Sequence, residues 1–459
     1  MRYRYEKDVL GKVKVPVDAY YGSETQRALE NFNISSIHMD ALFIESYAAL
    51  KMACAKANMH TGKLDKKIGE AIVESCRMIM NGGLRDQFVT DVFQAGAGTS
   101  TNMNVNEVIA NLSIEKLGGR RGNYKIVHPN DHVNMSQSTN DTFHTVIHIS
   151  VYKKIKKELI MSLDRLERSL MKKSYEFNGI TKVGRTHLQD AVPITAGQEF
   201  YGYSGAILKA RENVESAIKL LIEVPLGGTA VGTGINATPE YQKLAIKELN
   251  TITGERFRRS KNTFGMMQNQ LEESAVSDAL KGAAITLGKI ANDVRLLASG
   301  PTAGINELVI PAVQPGSSIM PGKINPSIAE MVNMVVFQVL GSSRTIDEAA
   351  HAGQLELNVF MPVIAYNLLF SASILSRAAD VFSQKCINGI KINESTVHKM
   401  LSANLSIATA LTPYIGYAKA AEIARIAYTK NKSIKEVCLE MKIMEEAELD
   451  KILDPSLMV

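Results

Sequence analysis

Residues 268–299 read QNQLEESAVSDALKGAAITLGKIANDVRLLAS. Within them Val276, Leu280, Ala283, Leu287, Ile290, Val294 and Leu297 recur at alternating spacings of four and three. Side chains at those intervals share one face of an α-helix, so the seven positions form a continuous apolar stripe. A stripe kept over about six turns packs helices nearly parallel to one another. The stretch predicts one long helix of a bundle.

Outward from this helix the same period returns. Leu159, Leu163, Leu166 and Leu170 form a second seam inside a helical stretch from about Asp141 to Phe177. From Ile328 to Leu340 the apolar residues cover nearly the whole circumference, the pattern of a helix buried inside a bundle or at a subunit interface. Prolines at 16, 129, 193, 225, 301, 315 and 413 fall between such stretches and leave long intervals without a helix breaker. Alternating β-branched runs hardly occur outside short pieces such as Lys12 to Val17. The fold class is all-α, a long-helix bundle. We expect an N-terminal mainly helical domain at 1–138, a central bundle at 139–392 and a small C-terminal helical domain at 393–459. No internal repeat or low-complexity linker sharpens these boundaries.

Charged residues are 22% of the 459 and hydrophobic ones 45%, the balance of an ordinary globular chain, which argues against disorder. A net charge of +5 is small for this length, and the densest basic run, Lys153 to Lys157, lies in a helical pattern and reads as a solvated face. No nucleic-acid partner is expected. The start, Met1 to Asp8, lacks an apolar signal segment, and no run approaches the roughly 18 apolar residues of a membrane span. Cys54, Cys76, Cys386 and Cys438 are far apart and read as reduced thiols. A cytoplasmic protein without membrane contact is the expectation.

The segment Pro315-Gly316-Ser317-Ser318-Ile319-Met320-Pro321-Gly322-Lys323-Ile324-Asn325-Pro326 breaks regular backbone and then opens a helix, with Asn325 as cap and Pro326 in the first turn. A helix start offers free N–H groups and positive dipole, and Lys323 adds a charge beside them, so a carboxylate is favoured there. A serine hydroxyl becomes a base only when its alkoxide is stabilised, and a lysine, backbone N–H groups and exclusion of water accomplish that. On these residues alone the segment is either a catalytic loop that closes over an anion or a connector whose Ser and Gly serve turn geometry.

Other polar clusters carry two readings each. Ser138-Thr139-Asn140-Asp141 is a helix cap by composition, and caps also sit at anion-binding ends. Gly96-Ala97-Gly98 lacks both a preceding strand and the third glycine of a dinucleotide fingerprint. His128 and His132, like His144 and His148, are four apart, but neither pair carries the Glu of the zinc-protease motif and Pro129 disturbs the first. No metal and no cofactor is expected.

The loop matches the signature G-S-S-x-M-P-x-K-x-N-P at every fixed position, and here the chain resembles the fumarase/aspartase superfamily. The resemblance extends through Asp18 to Gly22, Gly96 to Asn104, Ser136 to Asp141, Gly184 to Ala191 and Gly416-Tyr417, in the family's order. It implies elimination across the Cα–Cβ bond of a small dicarboxylic acid. Ser317 would be the base, His187 would orient substrate or relay a proton, and Glu330 would support the histidine. Lys323, Asn325, Thr186 and Ser318 would hold the substrate and its developing charge, while Thr99, Ser138, Thr139 and Asn140 would bind its other polar groups. It further implies a homotetramer with a central helical core and active sites shared between chains.

Within that family the leaving group is ammonia or water. Gly96-Ala97-Gly98-Thr99-Ser100, Ser138-Thr139-Asn140, Tyr20-Tyr21-Gly22, Asn130 to Asn134 and Ala352-Gly353-Gln354 resemble aspartases. His128 to Asp131, Leu226 to Gly234 and Asn358-Val359-Phe360 resemble fumarases. Weighting the substrate-facing clusters, the resemblance implies aspartate ammonia-lyase activity, with class II fumarate hydratase as the alternative and a non-catalytic binding or structural protein as a second one. Two departures stand out: His144 occupies a position normally filled by Pro, and Thr302 replaces the usual Arg after Gly300-Pro301.

Overall fold

The structure, a computed structural model, describes residues 2–459. Helices dominate, with seventeen α-helices and four two-stranded sheets among the described residues. Chain segments alternate between two compact units. One comprises the N-terminal segment through Ile160 with Glu212–Gly282 and Phe337–Leu375; the other comprises Met161–Arg211, Ala283–Val336 and Ser376–Val459.

The stripe of residues 276–297 forms as its period requires. Leu271–Leu297 is one helix, and all seven stripe residues are buried. The second seam belongs to an almost unbroken helical rod, Thr139–Lys154, a π-turn at Ile155–Leu159, then Ile160–Glu176. Ile147, Val151, Ile155, Leu159 and Leu163 follow one another at steps of four, and all are fully buried. In an α-helix each step of four drifts about 40° around the axis. The wider π-turn takes up that drift and keeps the row on one side.

The helix Ser327–His351 departs from the all-round burial read from its sequence. Ala329, Val332, Val336 and Val339 are buried, whereas Met334 is 67% and Phe337 66% exposed within the single chain. One apolar face therefore packs inside the chain and the opposite one is open. Buried helices of the first unit carry unusual polarity: Thr99–Lys116 encloses Asn102, Asn104, Asn106, Glu107 and Asn111. Such residues are tolerated only where hydrogen bonds replace water.

Strands are few, but one hairpin was not legible in the sequence. Thr181–Thr186 pairs antiparallel with Gln189–Thr195, and Thr186 faces Gln189 across a two-residue turn. That turn is His187 (φ 56°) and Leu188 (φ 60°), both left-handed. Hairpin turns of this hand normally use Asn-Gly or Asp-Gly, so His-Leu gives no turn signal.

Candidate active site

In the first unit, Ser138 to Asp141 cap a helix. Ser138 Oγ accepts the N–H of Asn140 (3.2 Å), and Asp141 Oδ1 accepts that of Ser138 (3.0 Å). This reciprocal pairing closes the N-terminus of Thr139–Lys154. The other carboxylate oxygen of Asp141 accepts N–H groups of Gly227 (2.9 Å) and Thr229 (3.0 Å). One buried carboxylate thus ties the cap to the glycine-rich loop; burial pushes its pKa up to about 6 against the pull of those donors.

Beneath the cap lies a buried cation absent from the sequence reading. Lys51 is fully buried in the helix Ala41–His60, and its Nζ donates to Asn102 Oδ1 (2.8 Å), Asn134 Oδ1 (2.8 Å) and Gln137 Oε1 (3.0 Å). Asn102 Nδ2 in turn donates to Thr139 Oγ1 (2.8 Å), and Tyr47 donates to Asn102 Oδ1 (3.0 Å). Burial lowers the Lys51 pKa to about 7. The available signal was a lone lysine in an otherwise apolar run, Leu50 to Ala55.

Thr99, Ser138 and Thr139 line one open depression together with Asn102, Gln137, Thr229 and the carboxylate residues Glu24 and Asp131. Asn140 is spent differently: its Nδ2 donates to the Ala230 carbonyl (2.8 Å) and fixes the depression's wall.

In the second unit, the loop is closed at its neck by a hydrogen bond from Asn325 Nδ2 to the Gly316 carbonyl. Gly316 has no alternative there, since a Cβ would run into the Lys323 carbonyl. Inside the loop, Pro321 and Gly322 (φ 78°) form a turn of type II character, with the Lys323 N–H on the Met320 carbonyl (3.3 Å). Ser317 Oγ accepts two backbone N–H groups, from Met320 (2.8 Å) and Ile319 (3.2 Å). Two donors converging on one hydroxyl oxygen favour its anion. Ser318 and Lys323 are exposed, while Asn325 and Glu330 are half-buried.

Thr186 and His187 lie exposed at the hairpin tip of the same unit. The strand leading to them is anchored by Lys182 and Arg185, each 2.7 Å from the buried carboxylate of Glu307. The returning strand is held through Asn404 Nδ2 on the Ala191 carbonyl (2.9 Å) and Ser406 Oγ on the Asp190 carbonyl (3.1 Å). Left-handed backbone at a histidine is strained, and this anchoring maintains it. The polar residues singled out in the sequence thus form two groups, Thr99, Ser138, Thr139 and Asn140 in one unit, and Thr186, His187, Ser317, Ser318, Lys323, Asn325 and Glu330 in the other.

A family profile described as Lyase matches residues 11–341, and one described as Fumarase C C-terminus matches residues 407–459. The chain belongs to the fumarase/aspartase superfamily. An aspartate ammonia-lyase of a Bacillus species is 46% identical over 452 residues, covering 98% of this chain and 96% of that protein. A class II fumarate hydratase of Campylobacter jejuni is 45% identical over 459 residues, covering 100% and 99%. Among solved structures, the fumarate lyase:delta crystallin of Brucella melitensis bound to cobalt superposes with a TM-score of 0.96 at 44% identity, covering 100% of this chain and 99% of that one. Membership accounts for the long-helix architecture. The leaving group is open at this level, because relatives of both names match equally well.

Proposed function

We propose that this member of the fumarase/aspartase superfamily is a cytoplasmic, homotetrameric aspartate ammonia-lyase. The observation that carries the reading is the depression lined by Thr99, Ser138 and Thr139. Its sequence elements, Gly96-Ala97-Gly98-Thr99-Ser100 and Ser138-Thr139-Asn140, are of the aspartase kind. Glu24 and Asp131 line the same depression, and carboxylates suit an ammonium group better than a neutral hydroxyl.

In this reading Ser317, as the alkoxide held by the N–H groups of Ile319 and Met320, takes the proton from the carbon beside one carboxylate. The C–H electron pair moves into that carboxylate, giving an enediolate whose charge Lys323, Asn325, Thr186 and Ser318 stabilise. Its collapse breaks the C–N bond, whose electron pair stays with the ammonium nitrogen as that leaves as ammonia, and fumarate remains. His187 orients the substrate or relays the proton, supported by Glu330; Thr99, Ser138 and Thr139 hold the remaining polar groups, and Asn140 fixes the wall beside them. No cofactor enters these steps. Among the described residues no helix is long and apolar enough to cross a membrane. The open face with Met334 and Phe337 supports burial between chains.

Fumarate hydratase is the second reading, favoured by His128 to Asp131, Leu226 to Gly234 and Asn358-Val359-Phe360. The experiment is fumarate absorbance with purified protein. Formation of fumarate from L-aspartate, and its ammonia-dependent loss in reverse, is expected. Formation from L-malate instead would establish the hydratase, and inactivity on both would point to a binding or structural role.

A further inference from the structure

Away from the two groups of candidate active-site residues, the first unit contains a second cluster of titratable side chains. His144 and His148 stand on successive turns of Thr139–Lys154, and Glu273 reaches them from the first turn of Leu271–Leu297. All three are fully buried. Glu273 Oε1 lies 2.8 Å from His144 Nε2 and 2.8 Å from His148 Nε2. The three ligating atoms lie within 4.8 Å of one another.

The hydrogen-bond inventory around the cluster is incomplete in a directional way. His148 Nδ1 is 2.6 Å from the Glu223 carbonyl. A carbonyl only accepts, so Nδ1 carries the proton and Nε2 turns its lone pair toward Glu273 unless something positive lies between them. This is the backbone contact that orients metal-bound histidines from behind. His144 Nε2, although close to Glu273, has no hydrogen-bond partner, and neither have Glu273 Oε2 and the buried Gln270 Oε1. Gln270 is held beside His144, with Nε2 3.5 Å from His144 Nδ1. An unsatisfied buried polar atom is costly, and three of them in one locus all present lone pairs or face a carboxylate.

We propose that His144, His148 and Glu273 bind one divalent d-block cation of the zinc or cobalt(II) class, with Gln270 Oε1 or the second oxygen of Glu273 as a further ligand. Two imidazoles and a carboxylate are the donor set of such ions, whereas calcium and magnesium take oxygen ligands throughout. Bonds of about 2.0–2.2 Å to three ligands in tetrahedral array separate the ligand atoms by about 3.3 Å. The 2.8 Å approaches therefore open by about half an ångström on loading, within reach of a rotation of the Glu273 carboxylate. The bound cation pins the two helices together one turn below Asn140, and its place in the sequence explains why the histidine pair alone gave no metal signal: the third ligand is 125 residues away.

The test is elemental analysis of full-length protein purified without chelator from zinc-supplemented culture, with a cobalt-supplemented preparation for visible spectroscopy. One equivalent per chain is expected, with the d–d absorption of low-coordinate cobalt. His144→Gln and Glu273→Gln are expected to lose both signals while keeping the helical circular dichroism, and His132→Gln to retain them. Folded wild-type protein with only background zinc and cobalt would overturn the proposal and leave a proton-bridged His–Glu–His cluster. Equal metal in the wild type and both site variants would overturn it by placing the ion elsewhere. Should the variants fail to fold, anomalous scattering at the zinc edge from wild-type crystals decides by the presence or absence of a peak between the three side chains.

Discussion

The backbone N–H of Met320 is the donor on which the proposed basicity of Ser317 most depends, and it can be deleted without touching a side chain that meets substrate. Its distance to Ser317 Oγ is 2.8 Å, while Ile319 stands further off at 3.2 Å. Met320→Pro removes the shorter contact. Met320 has no positive φ and its carbonyl remains available to Lys323, while the ring's Cδ takes the place of the donated hydrogen, so Ser317 Oγ loses this donor and must turn away from it. One donor at an oxyanion is worth about 2.7–4 kcal/mol, and the lower figure corresponds to about two pKa units of the hydroxyl and a roughly 100-fold loss. We therefore expect kcat/KM of Met320→Pro to fall about 100-fold at neutral pH relative to Met320→Ala, which keeps the N–H, with the loss shrinking as pH rises. Ser317→Ala sets the floor, with turnover abolished and assembly intact. The assay is fumarate absorbance across pH. If the proline and alanine variants agree within about tenfold at every pH, the Met320 N–H does not hold the Ser317 alkoxide, and the mechanism drawn from this loop fails.

Three further expectations test other parts of the structure. Lys51 has a folded pKa of about 7, below its unfolded value, so its contribution to stability is present at high pH and is lost as pH falls toward 7; urea unfolding between pH 7 and 10 should show wild type gaining about 1.4 kcal/mol per pH unit over Lys51→Met, and parallel curves would contradict the burial of its charge. Leu188 is exposed and left-handed, so Leu188→Gly should stabilise the hairpin by about 1 kcal/mol in thermal or urea unfolding, whereas a loss would show that its side chain is used. Phe337→Glu places a charge on the open apolar face of Ser327–His351 and should shift the oligomer to smaller species in analytical ultracentrifugation; an unchanged tetramer would show that this face is not the interface.

What could be read without coordinates is what local chemistry governs. The four-and-three spacing of Val276 to Leu297 determined a long helix and its buried face, because neighbours at those steps share a side of the helix whatever surrounds it. Pro321-Gly322 determined a turn for the same reason, since backbone angles are set within a few residues. Asn325-Pro326 marked the helix start but not its cap: the helix begins at Ser327, Pro326 precedes it, and the Asn325 amide is drawn across the loop to the Gly316 carbonyl. The capping box at Ser138 to Asp141 belongs with them. The tertiary structure alone decided the rest. His187 and Leu188 hold a left-handed hairpin turn against their own preference because Glu307, Asn404 and Ser406 anchor the strands on either side. Lys51 reads as an anomaly in an apolar helix until Asn102, Asn134 and Gln137 close around it. Glu273 joins His144 and His148 across a separation that no spacing rule spans. Short-range patterns fix backbone angles and faces, but which polar groups meet inside the protein depends on how distant helices pack, and burial, ion pairing and ligation arise only there.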